Sequence, residues 1–325
     1  MRVKHRRVAR SSHRRSAQEE PPSSKTSQDC RQRCAVERAD TDNKCYNPGM
    51  RYSNPLQFAE DAGAVDLISE GRLQLGISRG SPEQVIDGWK YFGFQPAEGE
   101  TDADMARRHT AVAMEVIDGL KFAEPNPRPM VPNPPGLLRV EPFSKGLRQR
   151  IWWGAGSDAT ARWAAQEGMN LMSSTLKDDE SGEFFHVQQR KQIEEFRTEW
   201  AKHDHGFEPR VSVSRSIFAL TTDKDREYFL GGSERNDQFG YIDSTRSVFG
   251  RSYIDEPDAL IEQLAGDEAI QAADTLLLTV PTQLGVDYNA HIIESILTHV
   301  APGLGWREKP EAQGDGERLN SSDID

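Results

Sequence analysis

From Pro55 onward the chain alternates two periodicities, and this alternation narrows its possible folds more than any other feature. Asn54 followed by Pro55 reads as a helix start: an Asn side chain accepts from free backbone N–H groups, and proline suits the first turn. Leu56, Phe58, Ala59, Ala62, Val65, Leu67 and Ile68 then recur at helical spacing, mostly on one side, and Gly71 is placed to stop the helix. The next residues, Arg72 to Ser78, alternate apolar and polar as a strand does. The same exchange repeats along the chain. Strands are predicted at 72–78, 151–154, 170–174, 210–220 and 274–280, the last a continuous apolar run of the buried type. Helices are predicted at 83–92, 102–121, 157–168, 183–203, 257–264 and 286–300. Strands alternating with helices imply a parallel sheet of α/β type. A closed (β/α)8 barrel takes about 250 residues and eight strands; five are visible here.

Two stretches interrupt the pattern. Residues 124–149 carry Pro125, Pro127, Pro129, Pro132, Pro134, Pro135 and Pro142, too many for a helix or a central strand. An irregular excursion at one mouth of the sheet is expected. Residues 231–253 are polar and punctuated by glycine, and are expected to form a mobile loop.

The first 48 residues differ in kind. They hold twelve Lys and Arg against six Asp and Glu, and no Leu, Ile, Phe or Trp. A segment so poor in apolar surface cannot offset the entropy of ordering, so residues 1–52 are expected to be a disordered basic arm or a misread of the gene. A polar tail, also disordered, is expected at 307–325, leaving 53–306 as the folded part. The whole chain carries a net charge of −12, so the part beyond the arm is more acidic than the total. An acidic body repels nucleic acid and anionic membrane, and no apolar run reaches the length of a membrane span. The three cysteines, Cys30, Cys34 and Cys45, all lie in the arm. Their odd number and the lack of a tetrahedral ligand set argue against a disulfide framework and against zinc, and a cytoplasmic location is expected.

The strongest candidate site is the turn Gly154-Ala-Gly-Ser-Asp-Ala-Thr160, which follows a strand and opens a helix. Backbone N–H groups at a helix start attract anions; Gly156 gives room, and Ser157 and Thr160 add hydroxyls one turn apart. An ordinary capped helix with Ser157 as N-cap satisfies the same pattern. Gly-x-Gly-x-x-Ala also matches a dinucleotide fingerprint, but the next strand ends Ser173-Ser174-Thr175 without the acidic residue that a ribose requires. The second candidate is Ser78-Arg79-Gly80, at the C-terminal end of a strand, where barrels place their chemistry; an arginine there can grip a phosphate with two parallel bonds. Trp152-Trp153 reads as core or as the wall of a pocket. His203 and His205 flank Asp204 at a helix end, and His291 and His299 are expected to face solvent.

Three segments together resemble the luciferase-like flavin monooxygenase family: Asn54 to Arg72; Leu73-Gln-Leu-Gly-Ile-Ser-Arg-Gly80 with Phe92-Gly93 beyond it; and Gly156-Ser-Asp-Ala-Thr-Ala-Arg-Trp-Ala-Ala-Gln-Glu-Gly168. The resemblance covers about residues 50–306. It implies a (β/α)8 TIM barrel that binds reduced FMN, delivered by a separate flavin reductase, and uses O2 to oxygenate a small organic substrate. A deazaflavin replaces FMN in sister enzymes. By the same resemblance Arg79 contacts the flavin phosphate, Gly156, Ser157 and Thr160 form the phosphate-binding helix start, and Ser174 lies near the ring. The family's first three strands, with its catalytic histidine, belong before Asn54. No residue here matches that histidine, so the catalytic group is unassigned and no metal is implied. A barrel reduced to five strands exposes two sheet edges and is expected to be weakly stable or to pair with another chain, as a homo- or heterodimer. The alternative is a non-catalytic subunit that binds flavin or a partner.

Overall fold

The computed structural model describes residues 49–80, 85–178, 181–231, 236–242 and 245–306. The expectations for residues 1–48 and 307–325 lie outside them. Helix α1 (Pro55–Ile68) begins as its sequence dictates, with the Asn54 side chain accepting from the N–H groups of Leu56 and Gln57. Strand β1 (Leu75–Ile77) follows, then a single 3-10 turn at Gly88–Phe92 where a longer helix is predicted. Helix α2 (Asp102–Ile117) is closed at its start by a reciprocal box between Thr101 and Asp104. The proline-rich stretch is irregular, as expected, and ends in a 3-10 turn at Leu147–Arg150 that leads into β2 (Ile151–Ala155). Helix α3 (Asp158–Gln166), β3 (Asn170–Ser173), β4 (Leu176–Asp178), α4 (Phe185–Trp200) and β5 (Val211–Arg215) complete the first half.

Four of the five predicted strands, with the first part of the fifth, form one parallel sheet in the order β1-β2-β3-β5-β10, where β10 is Thr275–Leu278. Pairing is in register from Ile77↔Trp153 through Ala155↔Ser173 and Ser173↔Val213 to Leu278↔Arg215. Among the described residues the sheet is an open, curled half-barrel. Gly49 bridges Ser78 in parallel at the β1 edge, and the Met50 N–H donates to the Ser78 carbonyl. Residues 49–52 are therefore built into the fold: Met50 is buried, and Arg51 pairs with Asp102 at 2.6 Å.

The strand period of two divides the sheet's faces. Ile77, Ile151, Trp153, Ala155, Leu171, Val211 and Val213 enter one apolar core with α1 to α4. Adjacent tryptophans part company: Trp153 meets Trp163 edge-on at 4.7 Å in that core, while Trp152, on the other face, donates its indole N–H to Gln74 under the Arg210 guanidinium. That concave face carries small and polar residues, Gly76, Gly154, Ser212 and Ser214 among them. Gly76 packs closely: a Cβ there would lie 3.1 Å from the Met172 sulfur, and that side chain would have to shift.

Four further expectations are overturned, besides the helix at 83–92 and the arm's last residues, 49–52. The stretch 210–220 is two strands, because β6 (Ile217–Ala219) leaves the main sheet to pair in parallel with β9 (Tyr253–Asp255). The segment expected to be a mobile loop is a hairpin: β7 (Gln238–Ile242) and β8 (Thr245–Phe249) add antiparallel strands to β4. It is fixed by Asp237, whose carboxylate accepts from the N–H groups of Phe185 and Arg251 and so caps α4 from a distance. Helix α1 turns its small residues, Ala59, Ala62 and Gly63, toward the core and leaves Val65, Leu67 and Ile68 outside, Ile68 being 82% exposed. Gly63 explains this choice: a Cβ there would strike the Pro142 carbonyl at 2.1 Å, so the excursion presses directly on the helix. His291 is half-buried, because it bonds Asp225, whereas His299 is exposed as expected.

Helix α5 (Asp223–Phe229), α6 (Pro257–Ala265), α7 (Glu268–Ala272) and α8 (Gly285–His299) surround β6 and β9. Their apolar side chains form a second core around Ile217, Leu260, Leu264 and Ile296. Among the described residues no helix is long and apolar enough to cross a membrane.

Candidate active site

The parallel strands end together, and the sequence-predicted site residues gather there. The register Ile77↔Trp153, continued by two residues, sets Arg79 level with Ala155, and Ala155↔Ser173, continued by one, sets Gly156 level with Ser174. Neighbouring strands lie about 4.8 Å apart, so Arg79, the Gly156–Ser157 turn and Ser174 occupy three adjacent strand ends. The Ser174 N–H donates to the Ala155 carbonyl at 3.1 Å, which ties two of them directly.

The turn is an N-cap in full. The Ser157 hydroxyl accepts from the Thr160 N–H and the Thr160 hydroxyl from the Ser157 N–H, each at 3.3 Å. The two hydroxyls are 3.0 Å apart. The Thr160 hydroxyl also donates to the Ser157 carbonyl at 2.9 Å, and both side chains are half-buried. Gly156 stands without a side chain 3.7 Å from the Leu176 carbonyl, measured from where a Cβ would be, and its own carbonyl accepts from the Asp178 N–H.

Arg79 is exposed and makes no ion pair among the described residues. Its neighbour Gly80 adopts φ +108°, a conformation that L side chains rarely adopt. Ser78 helps hold this turn, its hydroxyl accepting from the Gly80 N–H at 3.1 Å.

Behind β3 lies a polar layer with no sequence signal. Gln189 of α4, fully buried, donates its amide N–H groups to the Ser173 hydroxyl and the Ser174 carbonyl, each at 2.9 Å. Ser173 in turn donates to Gln192 at 2.7 Å. These glutamines sit at helical spacing among charged neighbours, and only the fold turns them inward. Lys177 of β4 is a second omission. It reaches the start of α3 and pairs with Asp158 at 2.8 Å. A lone lysine on a polar strand gives no hint of such a destination.

On the next strand of the same edge, β5 closes with the buried pair Arg215–Asp267, bonded through two parallel contacts of 2.7 and 3.0 Å. Burial pushes the Asp267 carboxyl up, but Arg215 and the Tyr253 hydroxyl outweigh it and hold the group below the ordinary carboxylate range. Tyr253 is pushed up by burial and by the same carboxylate. His203 and His205 belong to packing: His205 lies against Trp200 and bonds the Ala165 carbonyl.

Fold and site together define an α/β protein with a curled parallel sheet and a capped helix start at its C-terminal edge. The family model of luciferase-like monooxygenases matches residues 50–230, more than half of the chain. The chain belongs to that family. Among solved structures it is similar to the oxygenating constituent of 3,6-diketocamphane monooxygenase from Pseudomonas putida, a type II Baeyer-Villiger monooxygenase solved with FMN. Identity is 16%, 78% of this chain and 77% of that one are covered, and the TM-score is 0.52. EDTA monooxygenase from Chelativorans sp. BNC1 matches at 15% identity, with 79% and 72% covered and a TM-score of 0.51. An F420-dependent secondary alcohol dehydrogenase matches at 13% identity, 78% and 76% coverage and a TM-score of 0.47. No curated protein sequence matches the chain.

Proposed function

We propose that this chain binds reduced FMN at the C-terminal edge of its parallel sheet and takes part in oxygenation of a small organic substrate. The observation that carries the reading is the alignment of Arg79, the Gly156–Ser157–Thr160 turn and Ser174 on three adjacent strand ends. The donor set fits a phosphate monoester: an exposed guanidinium, a helix start with two hydroxyls, and a glycine that leaves the backbone accessible. Arg79 would pair with the phosphate, Ser157 and Thr160 would orient it, and Ser174, held by Gln189, would stand toward the ring. Bound there, the reduced flavin supplies the electrons with which O2 is activated. A separate reductase is the proposed source of reduced flavin. A second copy of this chain is the proposed cover for the exposed apolar side of α1. The absence of cysteine beyond Cys45 suits a cytoplasmic location.

The test is a fluorescence titration of the full-length chain with FMN, followed by oxygen uptake when a reductase supplies reduced flavin. Saturable FMN binding that Arg79→Ala weakens about tenfold, the loss of about one charge-assisted contact, is expected. No FMN binding would sink the reading. Binding of a deazaflavin in place of FMN would move the proposal to hydride transfer. FMN binding without oxygen uptake would favour the non-catalytic subunit.

A further inference from the structure

The start of α3 carries an obstacle to the reading above, and the fold contains its remedy. Asp158 is the first helical residue after the Ser157 cap. A carboxylate suits a helix start, but it repels any phosphate brought to the same N–H groups. We propose that Lys177 is the residue that makes this site selective for a phosphorylated flavin, by cancelling the charge of Asp158. The inference rests on the flavin reading and adds which flavin is accepted.

Three observations support it. The Lys177 ammonium lies 2.8 Å from Asp158 Oδ1, with the lysine side chain only 8% exposed. Burying an ammonium is costly unless it is paired, so the fold commits this cation to one place. That place is fixed by two sets of backbone bonds. Lys177 is paired in register with Val248 of the β7–β8 hairpin, and the next residue, Asp178, donates its N–H to the Gly156 carbonyl of the turn itself. The strand that bears the lysine is therefore stitched to the turn that would receive the phosphate.

The charges then balance as a phosphate site requires. Taken by themselves, Arg79 and Lys177 against Asp158 leave one net positive charge, beside the partial positive charge of the helix start. Without Lys177 the side chains sum to zero, against a phosphate carrying about −1.5 to −2. Riboflavin, which has the ring and no phosphate, needs none of this, so the ratio of FMN to riboflavin affinity reports what the site gains from the phosphate, and a change of charge at Lys177 or Asp158 acts on that ratio.

The experiment titrates FMN and riboflavin into the full-length chain and its variants, with an unfolding curve for each. Lys177→Met is expected to weaken FMN about tenfold or more and to leave riboflavin within about twofold. Adding Asp158→Asn to that variant restores most of the FMN affinity, which a purely structural role would not allow. Asp158→Asn alone raises the FMN to riboflavin ratio, and this variant decides the matter if Lys177→Met does not fold. An unchanged ratio in the folded variants overturns the inference and leaves the flavin reading standing. A chain that binds neither flavin overturns both.

Discussion

The two halves of the molecule meet at Ser216, where one extended segment passes from the main sheet into the β6–β9 pair, and they are held by different forces. On the helix side of the main sheet most contacts are apolar, Ile151, Leu171, Val211 and Phe196 all being fully buried, with the Ser173–Gln189–Gln192 layer and the Asp66–Arg150 pair set among them. The second half has an apolar core too, and it differs in an ion pair buried at both ends. Arg215 and Asp267, 2% and 0% exposed, join the sheet to α7 and to Tyr253. Asp225, equally buried, accepts from Thr221, Thr222, Tyr288 and His291 and so binds α5 to α8. Packed apolar contacts yield gradually when trimmed, whereas a buried ion that loses its partner does not. The two halves should therefore answer the same kind of damage very differently.

The largest effect is expected at Asp267. Asp267→Ala leaves the Arg215 guanidinium buried and uncompensated, at a cost of about 3–5 kcal/mol, and it also removes the acceptor for the Ala269 and Ile270 N–H groups. Ile151→Val, in the other half, should cost about 0.5–1.5 kcal/mol. Denaturant unfolding of both variants measures the contrast. Equal losses would show that the ion pair is solvated in solution and that the distinction between the halves is not real.

The same difference explains what could be read from the sequence. The apolar half was legible because its signals are local: the alternation in Leu73–Ser78, the Asn54-Pro55 start and the Ser157 cap each lie within a few residues of the structure they specify. The three candidate strand ends came together because parallel register follows from those strands. The ionic contacts of the second half were not legible. Arg215 and Asp267 are 52 positions apart, and Asp225 and His291 are 66 apart, so neither pair has a pattern that a window could find. The hairpin at 238–249 was missed for a related reason. Its polar, glycine-marked sequence suits a loop, and what orders it is pairing with Leu176–Asp178 and the remote cap from Asp237. Lys177 and Gln189 escaped notice because their partners, too, lie across the fold.

Acid should sharpen the comparison by a different route. Burial pushes the Asp225 carboxyl up, yet the hydrogen bonds from Tyr288, Thr222 and His291 prevail and hold it well below its ordinary value. Asp267 is lowered in the same sense. A carboxylate whose pKa is depressed by folding stabilises the protein at any pH above its unfolded value, about 3.9, and that contribution is lost as pH falls toward the folded value. Stability should thus be retained from neutrality down to about pH 4 and decline below it. Asp225→Asn should flatten the acid limb while lowering stability at pH 7. An acid limb identical to that of the parent chain would mean that Asp225 is not the group that titrates.

The smallest effect concerns the caps, and it separates folding from binding at the proposed site. Asn54 and Ser157 both accept from backbone N–H groups at a helix start in the first half. Replacing either with alanine should cost about 1 kcal/mol of stability, because the same kind of bond is lost. Their consequences for flavin should differ. The Asn54 side chain accepts only from the first N–H groups of α1, so Asn54→Ala should leave FMN affinity alone once the protein is folded. Ser157 stands on the turn beside Ser174, and its hydroxyl also faces that of Thr160. Ser157→Ala should therefore weaken FMN severalfold for the same loss of stability. Parallel unfolding curves and FMN titrations of the two variants decide it: if both lose FMN equally, or neither does, Ser157 serves only the helix, and the phosphate must be held by Arg79 and the backbone without it.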